Sequence, residues 1–181
     1  FWYEGVASDA PAADTDGAGN YPLSAITQRP MFMYHSWGSQ NAWLRQIAAR
    51  NFLYLHPQTA SRYGVHDEDW IWIASPLGRI RVQAKLHAAT APGTVWTWNA
   101  IGKRKGAWKL SGNAPESREG FLLNHLISEL LPAADHAHRY ANADPVTGQA
   151  AWFDLRVRIE TDPEPRVPGH RIEPIARDAV R

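Results

Sequence analysis

The residues best suited to chemistry lie between Thr27 and Asn41, in the run TQRPMFMYHSWGSQN. Arg29 brings a permanent positive charge and a planar fork that matches a phosphate or carboxylate. His35 and Ser36 add side-chain donors. Gly38 and Ser39 lead into a helical pattern that starts at Asn41, and the free N–H groups of a helix start favour an anion. Charge, donors and approachable backbone are what a pyrophosphate group needs. The plainer alternative is a loop that packs aromatics over one end of the fold, with Arg29 in a structural ion pair.

A second candidate is Asn124, inside the apolar run Gly120 to Leu126 (GFLLNHL). A buried amide must find partners. The alternatives are a local helix cap or a position facing solvent. Lys103-Arg104-Lys105, between Gly102 and Gly106, reads as a solvated basic turn or as a cap over phosphates. Trp96, Trp98 and Trp108 flank it and read first as packing residues. His136 and His138 lack the spacing of a helical ligand pair and read as a surface loop. No nucleophile, base and orienting group can be assembled from the sequence, so a self-contained hydrolase is not expected. No catalytic or metal-ligating residue is assigned.

Composition narrows the class. The chain has 181 residues, 44% hydrophobic and 20% charged, which is a globular balance. Lys plus Arg number 19 against 18 Asp plus Glu, so no general basic field recruits nucleic acid or an acidic membrane. The cysteine count is zero, which excludes disulfides, a thiol nucleophile and thiolate-bound zinc or iron–sulfur clusters within these residues. It does not fix the compartment. No apolar stretch reaches the roughly 18 residues of a membrane-spanning helix. The chain opens Phe1-Trp2-Tyr3 without Met, and the expectation is a piece of a longer polypeptide.

These residues need elements to position them. Residues 1–20 read as a linker or arm, small and acidic over ASDAPAADTDGAGN. Residues 21–160 form the folded body, and 161–181 read as an extended Pro-rich tail. Strands are expected at Leu23–Ile26, Phe52–Leu55, Trp70–Ala74, Ile80–Leu86, Thr94–Trp98 and Ala151–Glu160. The Ile80–Leu86 strand alternates apolar residues with Arg79, Arg81, Gln83 and Lys85, which predicts one solvent face. Helices are expected over Asn41–Arg50, with Trp43, Leu44, Ile47 and Ala48 on its apolar face, and over Phe121–Leu131. A short helix follows His56-Pro57, with Gly64 past its end. Pro76-Leu77-Gly78, Pro92-Gly93 and Asp144-Pro145-Val146-Thr147-Gly148 are turns. Many short strands with few helices predict a mainly β fold, a closed barrel with crossing helices.

The order of these pieces resembles a known family. Tyr21-Pro22-Leu23-Ser24-Ala25-Ile26-Thr27-Gln28-Arg29-Pro30 followed by Tyr34-His35-Ser36 and Asn41 is similar to the start of the C-terminal dinucleotide-binding domain of molybdopterin oxidoreductases, the dimethyl sulfoxide reductase family. Leu55-His56-Pro57-Gln58-Thr59-Ala60, Tyr63-Gly64-Val65, Ser75-Pro76-Leu77-Gly78-Arg79-Ile80, Ala91-Pro92-Gly93-Thr94-Val95, Asn124 and the Asp144–Gln149 turn follow in the family's order. Two positions depart: His56 stands for a usual Asn, and Glu68 stands for a usual Gly between Asp67 and Asp69.

The resemblance implies a six-stranded double-psi β-barrel. It implies that Thr27, Arg29, His35, Ser36 and Asn124 contact a molybdopterin guanine dinucleotide, Asn124 against the pterin. Two such dinucleotides, with molybdenum or tungsten, would be shared with other domains of a parent catalytic subunit. An iron–sulfur cluster and the metal's protein ligand would lie elsewhere in that parent, and iron–sulfur and membrane-anchor subunits are implied partners. Neither nucleic acid nor direct membrane insertion is expected. The isolated domain would not be catalytic. The Trp98–Trp108 segment, Ala114-Pro115-Glu116 and Gly120–Ile127 are similar to the sulfur-oxyanion branch, which includes membrane-associated sulfite dehydrogenases and polysulfide or thiosulfate reductases. A formate dehydrogenase-type parent, or a non-catalytic double-psi interaction barrel, are the alternatives.

Overall fold

The computed structural model describes residues 20–34, 38, 41–48, 50–99, 101, 111, 113, 120–127, 143, 146–149 and 155–174. Seven strands occur in chain order: β1 Leu23–Gln28, β2 Leu53–Leu55, β3 Trp70–Ser75, β4 Gly78–Leu86, β5 Thr94–Trp98, β6 Arg156–Thr161 and β7 Arg171–Pro174. Two short α-helices, α1 Ala42–Ile47 and α2 Pro57–Arg62, precede and follow β2. A 3-10 turn spans Leu123–Leu126.

The strands pair in the order β2-β5-β1-β6-β3-β4-β7, and β2 also pairs with β4. That extra pairing closes the first six strands into a barrel and leaves β7 outside it. One edge of β4 is shared: Gly78–Arg81 pairs with β7, and Ala84–Leu86 pairs in parallel with β2. The second parallel pair is β1 with β5. Parallel neighbours need crossover connections, and here two such crossings make a double-psi barrel. Inward residues such as Ala25, Leu53, Ile73, Val82, Val95 and Val157 are fully buried and fill it. Phe121, Leu123 and Leu126 join the same core.

Local chemistry explains the connections. Asn41 caps α1 by accepting from the Trp43 N–H at 2.9 Å. His56 caps α2 in the same way: its Nδ1 accepts from the Gln58 N–H at 3.0 Å, with Pro57 in the first turn. The His-for-Asn departure therefore preserves the cap. Pro92-Gly93 makes a tight turn with Gly93 at φ 83, closed by the Thr94 N–H to the Ala91 carbonyl at 3.1 Å. Glu68 sits at φ 65, the left-handed conformation that the usual Gly adopts without cost. Its backbone N–H donates to the Ala84 carbonyl at 3.0 Å, which holds it there.

Four expectations need correction. The outward face of β4 is solvated only at Arg79 and Lys85: Arg81 is 2% exposed because the chain after β6 folds back over it, and Gln83 is buried, donating to the Glu68 carbonyl. The apolar face of α1 is only partly covered by the described residues, with Leu44 half-buried, and the helix stops at Ile47, where Ala48 turns extended. Trp43 is 78% exposed and Ile47 63%. Around Asn124 the described residues form only the four-residue 3-10 turn, and Ile127 is already extended. Residues 128–131 of the expected helix, and 151–154 of the expected last strand, lie outside the described residues. Finally, Arg171–Pro174 pairs with β4, a strand that periodicity did not mark.

That last strand is held by one buried cation. The Arg81 guanidinium donates to Asp162 Oδ2 (2.7 Å) and to the carbonyls of Val167 (2.7 Å), Gly169 (2.7 Å) and Glu164 (2.8 Å). It also lies 5.1 Å from the centre of the Trp70 ring. Residues 162–170 form a strap across the barrel, and the His170 Nδ1 contacts the Arg81 carbonyl.

Candidate functional site

The β1–β5 register brings the C-terminal ends of two strands together. Gln28 lies opposite Trp98, and the Asn99 N–H continues the ladder to the Gln28 carbonyl at 2.8 Å. Thr27 lies opposite Thr97. By alternation with Ala25 and Val95, both threonines are on the inward side of their strands. Thr27 is half-buried, and Thr97 is fully buried. The Thr97 hydroxyl has no hydrogen-bond partner among the described residues.

Arg29 follows β1 and is exposed, with its guanidinium 5.6 Å from the centre of the Tyr34 ring. Among the described residues no carboxylate pairs with it. Asn124 is also exposed, which selects the solvent-facing alternative over a buried amide. Its neighbours Leu123 and Leu126 take the core positions, so the amide is left on the outer side of the turn. His35 and Ser36 lie outside the described residues, as do Lys103–Lys105, Trp108, His136 and His138. Among the described residues no group of three or more His, Asp or Glu could hold a metal ion.

One residue that sequence reasoning missed joins these parts. Asn51 is 1% exposed and stands just before β2. Its Nδ2 donates to the carbonyls of Trp98 (2.9 Å) and Phe121 (3.4 Å). Its Oδ1 accepts from the N–H groups of Phe52 (3.1 Å) and Trp98 (3.3 Å). Periodicity could only mark it as a stop for α1. A signal was present nonetheless, since a polar residue directly before an apolar strand has to satisfy its amide somewhere.

The surroundings are aromatic. On the outer face of β2 and β5, Tyr54 stacks on Trp96 at 4.0 Å, and Trp98 meets Trp96 edge-on at 4.9 Å. The Trp96 indole N–H donates to the Thr90 hydroxyl at 2.9 Å. Met31, Tyr34, Trp43 and Ile47, all between β1 and β2, are exposed. Two ion-pair clusters lie on β4 and its neighbours. Burial pushes the Glu160 carboxyl up, yet the hydrogen bonds from Arg79 (2.8 Å) and Arg158 (2.8 Å) hold it below its ordinary value. Hydrogen bonds to Asp67 (2.7 Å) and Glu68 (3.1 Å) raise the Lys85 ammonium.

The described residues thus form a closed barrel with Arg29 exposed just past β1, Asn124 exposed on its turn, and Thr27 and Thr97 on the inward side of paired strands. Similarity to known proteins gives this barrel its family. The family model described as "Molydopterin dinucleotide binding domain" matches residues 23–139. The chain belongs to this family. It is 52% identical over 179 residues to a sulfite dehydrogenase subunit of Allochromatium vinosum, covering 98% of this chain and 18% of that protein. It is 29% identical over 172 residues to a tetrathionate reductase subunit of Salmonella typhimurium, covering 88% of this chain and 16% of that one. The acetylene hydratase of Pelobacter acetylenicus superposes with a TM-score of 0.61 at 21% identity, over 90% of this chain and 21% of that one, which supports the fold. The chain thus spans about a fifth of the length of the relatives it matches.

Proposed function

We propose that this chain is the cofactor-holding barrel of a catalytic subunit that carries two molybdopterin guanine dinucleotides with molybdenum or tungsten. The whole enzyme would carry out two-electron redox chemistry on a sulfur oxyanion, sulfite first. The observation that carries this reading is the 52% identity to a sulfite dehydrogenase subunit over 98% of the chain. When bound, the cofactor supplies the electron-transfer chemistry, and this chain supplies position and charge.

The residues present fit that group. Arg29 offers an exposed cation for a phosphate. Thr27, His35 and Ser36 would add donors around it. The Asn124 amide can both donate to and accept from a ring edge. The exposed apolar residues from Met31 to Ile47 call for a covering surface, and the remaining domains of the same catalytic polypeptide would provide it. The iron–sulfur cluster, the metal's protein ligand and any iron–sulfur or membrane-anchor subunits would lie outside this chain.

The test uses the full-length enzyme. Removing a charge-assisted phosphate contact costs about 1.5–3 kcal/mol, roughly a ten- to hundred-fold loss of affinity. Arg29→Ala should therefore lower the metal content and the pterin fluorescence of the purified protein. Unchanged cofactor content would remove Arg29 from the site. A fully loaded enzyme that does not oxidise sulfite with an artificial electron acceptor would refute the substrate.

A further inference from the structure

Asn51 lies past α1, which stops at Ile47, and its side chain acts over a long range in sequence. An amide side chain offers two donors and two acceptor positions, and Asn51 uses all four. The β2–β5 ladder pairs Tyr54 with Trp96, so Phe52 falls opposite Trp98, where the backbone pairing has ended. The Asn51 amide takes over at that point and engages both the N–H and the carbonyl of Trp98. Its second donor reaches the Phe121 carbonyl, 70 residues away.

We infer that Asn51 is a positioning residue for the cofactor-facing end of the barrel, an inference that rests on the function proposed above. Trp98 sits opposite Gln28, the residue before Arg29. Phe121 stands two residues before the turn that carries Asn124. One buried amide thus ties the strand end beside the Arg29 loop to the segment that presents Asn124. It touches neither the phosphate nor the pterin, and it acts through the backbone that does. No other side chain meets the need: Asp loses both donors, Gln is one methylene too long for the same reach, and Leu leaves the Trp98 and Phe121 carbonyls without their partner.

The test compares Asn51→Asp and Asn51→Ser with Asp162→Asn in the full-length holoenzyme. Asp162→Asn weakens the strap, whose clamp on Arg81 shares no hydrogen bond with Asn51. Thermal midpoints and the rate of pterin release after dilution are measured at temperatures the same distance below each midpoint. In metal sites, losing a residue that orients the ligands costs about 10–100-fold in affinity, and that range sets the scale here. Both Asn51 variants should therefore release pterin at least about ten-fold faster than Asp162→Asn, with Ser intermediate. Equal release rates at matched stability would make Asn51 a purely structural residue and overturn the inference. Failure of both Asn51 variants to fold, with Asp162→Asn folded, would also overturn it. A wild-type enzyme purified without pterin would instead refute the function on which it rests.

Discussion

Arg81→Met would remove the clamp on the C-terminal strap while keeping the length of the side-chain stem. The wild-type guanidinium makes four hydrogen bonds at 2.7–2.8 Å, one of them to a carboxylate. Arg81 and Asp162 are both nearly buried, at 2% and 6% side-chain exposure. Breaking such a pair by deleting one partner costs about 3–5 kcal/mol, because the other charge is stranded. Three orphaned carbonyls would add to that, but Glu164 and Val167 are exposed and can turn to water. The expected loss is therefore near the lower limit, about 3 kcal/mol. That is a large share of the roughly 5–15 kcal/mol typical of a domain. Urea denaturation followed by tryptophan fluorescence measures it, and hydrogen exchange should show the β7 amides losing protection first. A loss under about 1 kcal/mol with β7 still protected would refute the clamp.

The same contact predicts a pH signature. Burial pushes the Asp162 carboxyl up, but the Arg81 hydrogen bond, the Glu164 N–H and the Arg81 charge outweigh it and hold it below its ordinary value. A lowered folded pKa adds stability that is fully present above the unfolded value of about 3.9. It is lost as pH falls through the folded value. Arg81→Met should flatten the acid limb of the stability profile, leaving mainly the shares from Glu160 and Asp67. An unchanged acid limb would mean that Asp162 is not stabilised by Arg81.

Two further substitutions probe strain and polarity. Glu68→Gly relieves the left-handed backbone, worth about 1–2 kcal/mol, but adds glycine's chain entropy of about 0.5–1 kcal/mol and removes one partner of Lys85. The net change should lie within about 0.5 kcal/mol of zero by urea denaturation, and a loss above about 1.5 kcal/mol would show that the carboxylate matters more than the turn. Thr97→Val deletes a buried hydroxyl that has no partner among the described residues. It should raise stability by about 1 kcal/mol, or the thermal midpoint by about 2–4 °C, and a lower midpoint would show that the hydroxyl is used.

What was legible in the sequence was local. Asn41, His56-Pro57 and Pro92-Gly93 act through neighbours two to four residues away, so their residue types announce the cap or turn they make. The strands were legible because alternation in Leu23–Ile26 and Ile80–Leu86 reports a buried side whatever covers the other. What covers the other side was not legible. Arg81, flanked by Ile80 and Val82, has the pattern of a solvated strand residue. Only the return of residues 162–170, more than 80 positions later, makes it a buried cation. Asn51 escaped for the same reason, since its partners lie 47 and 70 residues on.

The two ends of this logic differ in a way that bears on function. On the strap side the chain completes itself: a buried cation meets a carboxylate and three carbonyls, and no other domain is needed. On the side of the β1 and β5 ends it does not. Arg29 and Asn124 face outward, and Met31, Tyr34, Trp43 and Ile47 expose apolar surface from the connection after β1. An apolar face at helical spacing states that something covers it, without stating what. The chain spans a fifth of its relatives' length, and on the function proposed above the ligand and the rest of the polypeptide would be the occupants. Positioning by Asn51, as inferred above, requires its four hydrogen bonds to hold before the cofactor arrives, because a loose amide could not orient the groups on either side of it.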